Sequence, residues 1–157
     1  MRYSAYMFFF ILLNCKQQSP EINQNDIHEV ISISNNDIFN ITNNYYILNE
    51  RYKQPFKHSL MLTKTEIDII KKAIIDEQLY KLDNSLRFVK SCENKGCLSE
   101  MIIHYKSGRK QHFIFDNYLY KRHIRNKSYR KIANTEEIIS EIILKKKIDP
   151  ETVNVYF

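Results

Sequence analysis

Apolar residues follow two different periods along this chain, and the change of period marks its elements. Residues Ile27 to Ser34 alternate, with Ile31 and Ile33 on one side and Val30 and Ser32 on the other, the period of a strand. Asn35-Asn36-Asp37 reads as a turn, Ile38 to Thr42 as a second strand, Asn43-Asn44 as another turn and Tyr45 to Tyr52 as a third strand. Asparagine tolerates the positive φ that tight hairpins need, so the pattern predicts a meander. After Pro55 a short apolar piece, Ser59 to Leu62, leads into Thr63-Lys64-Thr65-Glu66, the signature of a capping box. A helix follows, with Ile67, Ile70, Ala73 and Ile74 on an inward stripe that ends near Tyr80. Met101 to Tyr105 and Gln111 to Phe115 alternate around Lys106-Ser107-Gly108 and predict a hairpin. A second helix is expected from about Ser128 to Lys146, with Ile132, Ile139, Ile142 and Ile143 inward and Lys145 to Lys147 beside its carbonyl end. The expected class is α+β: a mainly antiparallel sheet, an N-terminal meander plus a C-terminal hairpin, packed against two helices.

Neither period fits the beginning. One cation, Arg2, precedes an unbroken apolar run from Ala5 to Leu13, and Asn14 then stands before Cys15. This is the grammar of a signal peptide. Nine helical residues reach roughly 14 Å, about half of a bilayer's hydrocarbon core, so the run is too short to span on its own. The tetrapeptide Leu12-Leu13-Asn14-Cys15 resembles the lipobox of bacterial lipoproteins, although Asn14 stands where a small residue is usual. The resemblance covers the first fifteen residues and implies that Cys15 becomes an acylated N-terminus, anchored in a membrane by several acyl chains. Lys16, where aspartate is the inner-membrane retention signal, implies the outer membrane. The chain then divides into a signal peptide (1–14), a polar tether (15–26) and one domain (27–157) located in the cell envelope.

Composition narrows the chemistry. The chain has 157 residues, a formal charge of +6 and only two glycines, Gly96 and Gly108. Phosphate-cradling loops and dinucleotide fingerprints need several closely spaced glycines, so those cofactors are not expected, and no cofactor or metal is assigned. Carboxylates such as Asp68, Asp76, Glu77 and Asp83 form no pair across a recognisable cleft, and no nucleophilic triad can be assembled.

Three cysteines occur. With Cys15 claimed by the anchor, Cys92 and Cys97 in KSCENKGCLS are expected to form a disulfide in an oxidising envelope. Zinc held with His104 and His112, at a spacing that matches no familiar module, and free thiols are the alternatives. The stretch from Tyr120 to Lys131 carries Lys121, Arg122, Arg125, Lys127, Arg130 and Lys131 and no acid. It reads as a solvated face or as a surface for an anionic envelope polymer or lipid headgroup; the compartment argues against nucleic acid. The expectation is therefore a binding or assembly-support module, with an inhibitor or immunity-type binder of an envelope hydrolase or toxin, or a hydrolase with an unrecognised site, as alternatives. An envelope protein is then the expected partner beside the membrane, and Tyr45, Tyr46, Tyr118 and Tyr120 are candidate contacts.

Overall fold

A single extra residue sets the faces of the central strand. In the computed structural model, which describes residues 22–34, 37–48, 56–89, 98–116, 123 and 125–146, β1 (Ile27–Ser34) pairs with β6 (Leu98–Tyr105), and the register shifts between Ile27 and Glu29. This bulge leaves His28 exposed and lets Ile27 and Val30, three positions apart, both point into the core. From Val30 onward strict alternation holds: Val30 and Ser32 face inward, and Ile31 and Ile33 lie on the opposite side.

The sheet has seven strands in the order β4-β3-β2-β1-β6-β7-β5. The meander runs from β1 through β2 (Asp37–Asn40) and β3 (Tyr45–Ile47) to β4 (Lys57–Ser59), each pair antiparallel. Asp37, expected in a turn, begins β2, and Asn44 takes the left-handed conformation at φ 58°. The Asn44 side chain behaves as a strand would: its Nδ2 donates to Leu62 O at 2.9 Å and its Oδ1 accepts from Leu62 N at 2.7 Å. The hairpin β6–β7 (Lys110–Asp116) turns through Gly108 at φ 84°. β5 (Ser85–Phe88), which no long alternation announces, lies parallel to β7 at the edge and turns Leu86 and Phe88 toward the core.

Both helices cover one face. Helix α1 (Lys64–Asp76) starts with the expected reciprocal box: Glu66 N donates to Thr63 Oγ1 at 3.2 Å, and Thr63 N donates to Glu66 Oε2 at 2.7 Å. Helix α2 (Lys127–Leu144) is capped by Asn126, whose Oδ1 accepts from Ser128 N and Tyr129 N. Lys146 Nζ reaches Glu66 at 2.7 Å and Asn134 Nδ2 reaches Glu77 at 2.9 Å, so the two helices run antiparallel. Their stripes, Ile70 and Ile74 from α1 and Ile132 and Ile139 from α2, close on Val30, Met101, Ile103, Phe113 and Phe115. Each fully buried aliphatic or aromatic side chain of this set contributes on the order of 2 kcal/mol by transfer from water.

α1 stops four residues short of Tyr80 because Gln78 is left-handed at φ 55°. The carbonyls that follow are taken by Arg109, just before β7, and by Gln111 within it. Arg109 donates to Tyr80 O at 2.6 Å and Leu82 O at 2.8 Å, and Gln111 Nε2 donates to Leu79 O and Leu82 O, each at 2.9 Å. Ahead of β1, Ile22 packs against the core and Gln24–Asp26 form a 3-10 turn closed by an Asn23–Asp26 capping box.

Candidate functional site

The second face of the sheet is where unexplained chemistry collects. Registers place its side chains in rows across the strands. One row runs Lys57, Ile47, Ile38, Ile33, Glu100, Ile114 and Arg87, from β4 to β5. The next runs Ser59, Tyr45, Asn40, Ile31, Ile102, His112 and Ser85, and a shorter third holds Glu29, His104 and Lys110. No described element packs against this face: its six isoleucines are half-buried and stand outside the hydrophobic core.

Two carboxylates interrupt the isoleucines, and each is held by a histidine. His104 Nδ1 lies 2.8 Å from Glu29 Oε2, and His112 Nε2 lies 2.7 Å from Glu100 Oε2. Asn40 Nδ2 and Asn43 Nδ2 both donate to Glu29 Oε1 at 2.7 Å. The Asn40 bond first, opposed by partial burial and then helped by His104, holds the Glu29 carboxyl below the usual range. The remaining cations sit at the periphery: Lys57 lies over the Tyr45 ring, 3.9 Å from its centroid, and Arg87 and Lys110 are exposed. The result is an aliphatic centre, hydrogen-bonded polar groups within it and cationic side chains around it.

Ser85, His112 and Glu100 align across β5, β7 and β6, the residue types of a nucleophilic triad. Among the described residues Ser85 makes no bond to the ring, and the histidine serves the glutamate alone. No three His, Cys, Asp or Glu side chains converge as metal ligands among the described residues. A shallow depression of about 390 Å³ opens between Ile22, Tyr80, Leu82, Asn84 and Arg109, but the guanidinium on its wall is spent on the turn it anchors.

Between the sheet and the helices lies a buried carboxyl on α2. Glu136 of α2, only 5% exposed, accepts from Ser32 Oγ at 3.0 Å and Ser140 Oγ at 3.4 Å, and its second oxygen has no partner. Burial pushes its pKa up to about 7 against the opposing serine bonds.

Of the residues singled out from the sequence, Cys15, Cys92, Cys97, Lys121, Arg122, Tyr118 and Tyr120 lie outside the described residues. Arg125, Lys127 and Arg130 are exposed around the first turn of α2, and Lys131 is half-buried. Tyr45 stands on the open face, whereas Tyr46 turns to the helix side and stacks between Phe39 and His58. His104 and His112 share one face, as a metal pair would, but each is committed to its own glutamate. Asp68 and Asp76 pair with Lys64 and Lys72 along α1. The isoleucine face had a signal in the sequence. Met101-Ile102-Ile103 and Phe113-Ile114-Phe115 are apolar at consecutive positions, whereas an antiparallel strand with one wet face alternates. Among the described residues no helix is long and apolar enough to cross a membrane. No family model, curated protein or solved structure matches the chain.

Proposed function

We propose that this chain is a lipid-anchored envelope protein whose α+β domain binds a protein partner through the open face of its sheet. The observation that carries the binding reading is the row Ile47, Ile38, Ile33 and, past Glu100, Ile114, with Ile31 and Ile102 beside it, an apolar area on a face that no described element covers. The hydrogen bonding of both carboxylates supports it, because a partner that excludes water there meets groups that already have donors. The anchor rests on the signal grammar that ends at Cys15, and an oxidising compartment joins Cys92 to Cys97.

Intact mass of the mature chain under non-reducing conditions tests the anchor and the disulfide together. Acyl mass on a chain that begins at Cys15, with a deficit of two hydrogens, is expected; an unacylated start elsewhere fails the anchor, and two free thiols fail the disulfide. Cross-linking in the intact envelope tests the binding face. The wild-type chain should yield a higher-mass adduct that the Ile31→Thr, Ile102→Thr double variant loses, and an adduct unchanged by that variant fails the reading.

A further inference from the structure

We infer that the partner on the open face is a second copy of this chain, the two sheets packing face to face. The inference rests on the binding reading above and names its occupant.

Shape argues first. The face is a regular grid carried by seven strands with β1 at the middle, and its apolar members are β-branched side chains. Two such faces interdigitate at the spacing found in β-sandwiches.

Area argues second. With strands about 4.8 Å apart and same-face side chains about 6.7 Å apart along each strand, the rows cover roughly 550 Å². Buried on two copies, this reaches about 1,100 Å², just above the roughly 1,000 Å² that a specific interface should clear.

Charge argues third. The face carries two carboxylates, Glu29 and Glu100, and three permanent cations, Lys57, Arg87 and Lys110. It therefore presents both signs to its own copy, as an isologous interface requires. The carboxylates sit toward the centre with their histidines, and Lys57 and Arg87 sit on the two outermost strands. That is the distribution of an apolar core with a polar rim. An anionic bilayer is the weaker occupant, since Glu29 and Glu100 would be pressed against like charge.

Sedimentation equilibrium of the full chain, purified in a mild nonionic detergent, tests the inference. The wild-type chain should associate to a dimer in the micromolar range. The Ile31→Thr, Ile102→Thr variant keeps β-branching and should raise the dissociation constant by about tenfold or more. Should circular dichroism show that variant unfolded, Ile114→Thr alone decides with the same criterion. A wild-type chain that stays monomeric throughout, or a dimer whose affinity neither variant changes, overturns the inference. The Cys15→Ser chain should lose the lipid and dimerise like the wild type, whereas a wild-type chain that dimerises without acyl mass fails the anchor and leaves the interface standing. A monomer that still gives a face-dependent envelope adduct fails the second copy and leaves the binding face standing.

Discussion

Glu136 is the residue most at odds with its surroundings. It belongs to the polar side of α2 by type, yet the helix turns it onto Ser32 of β1, where one oxygen is bonded and the other is not. Its folded pKa, about 7, lies above the ordinary 4.5, so the folded state binds its proton more tightly than the unfolded chain. The sign follows: this group favours folding below the ordinary value, and that advantage drains as pH rises from about 4.5 to about 7. The full swing is on the order of 3 kcal/mol. Glu136→Gln cannot ionise. Thermal melts at pH 5 and pH 8 should therefore differ less for the variant than for the wild type, and equal differences would mean that the carboxyl is not titrating in the fold. Glu66 has the opposite sign. Lys146 first, then the Thr63 backbone and hydroxyl, hold it down to about 2, so what it contributes is present above the ordinary value and is lost only in acid.

At the scale of elements, the legible parts were those in which local chemistry decides. The capping box at Thr63 and Glu66, the inward stripes of both helices and the Gly108 hairpin are dictated by neighbours within a turn, and each stands as read. Thr63→Ala should cost about 1 kcal/mol, seen as a lower melting temperature with unchanged far-UV circular dichroism. A loss above about 2 kcal/mol would mean that the Lys146 contact at the other helix depends on the same cap. The less legible parts depend on distant partners. β5 is made a strand by pairing in parallel with β7, residues that follow it by more than twenty positions. α1 ends where Gln78 turns left-handed, and the carbonyls that follow are held by the distant side chains of Arg109 and Gln111. The alternation of β1 was read, but which side faced the helices was set by the pairing with β6. The candidate face was present in the sequence as isoleucines at Ile31, Ile33, Ile102 and Ile114, and only strand order brings them together.

The whole molecule is basic and unevenly so. Arg125, Lys127 and Arg130 surround the first turn of α2, where the helix dipole is itself positive and no acid compensates. The open face lies on the other side of the sheet from α2, so attraction to polyanions and pairing of faces are separable. Binding of the chain to vesicles containing phosphatidylglycerol should fall steeply with added salt. Lys121→Gln, Arg122→Gln, Arg125→Gln and Lys127→Gln together should weaken it without changing the oligomeric state. Equal binding by that variant would mark the run as a solvated face.

The position of β1 governs time as well as space. The middle strand of the sheet is the first to be made, and one of its two neighbours, β6, begins some seventy residues later. Until that hairpin exists β1 has only β2 beside it, so half of the sheet must wait for a contact between distant parts of the chain. Long-range pairing of this kind slows folding to milliseconds or longer. On the proposal that the chain is exported, this delay would be useful, because a polypeptide that folds late can still be threaded through a membrane. Refolding by stopped flow should accordingly show a slow main phase. Mutations at the Val30–Ile103 pairing should act on the folding limb if β1–β6 docking is the barrier, and on the unfolding limb alone if it is not.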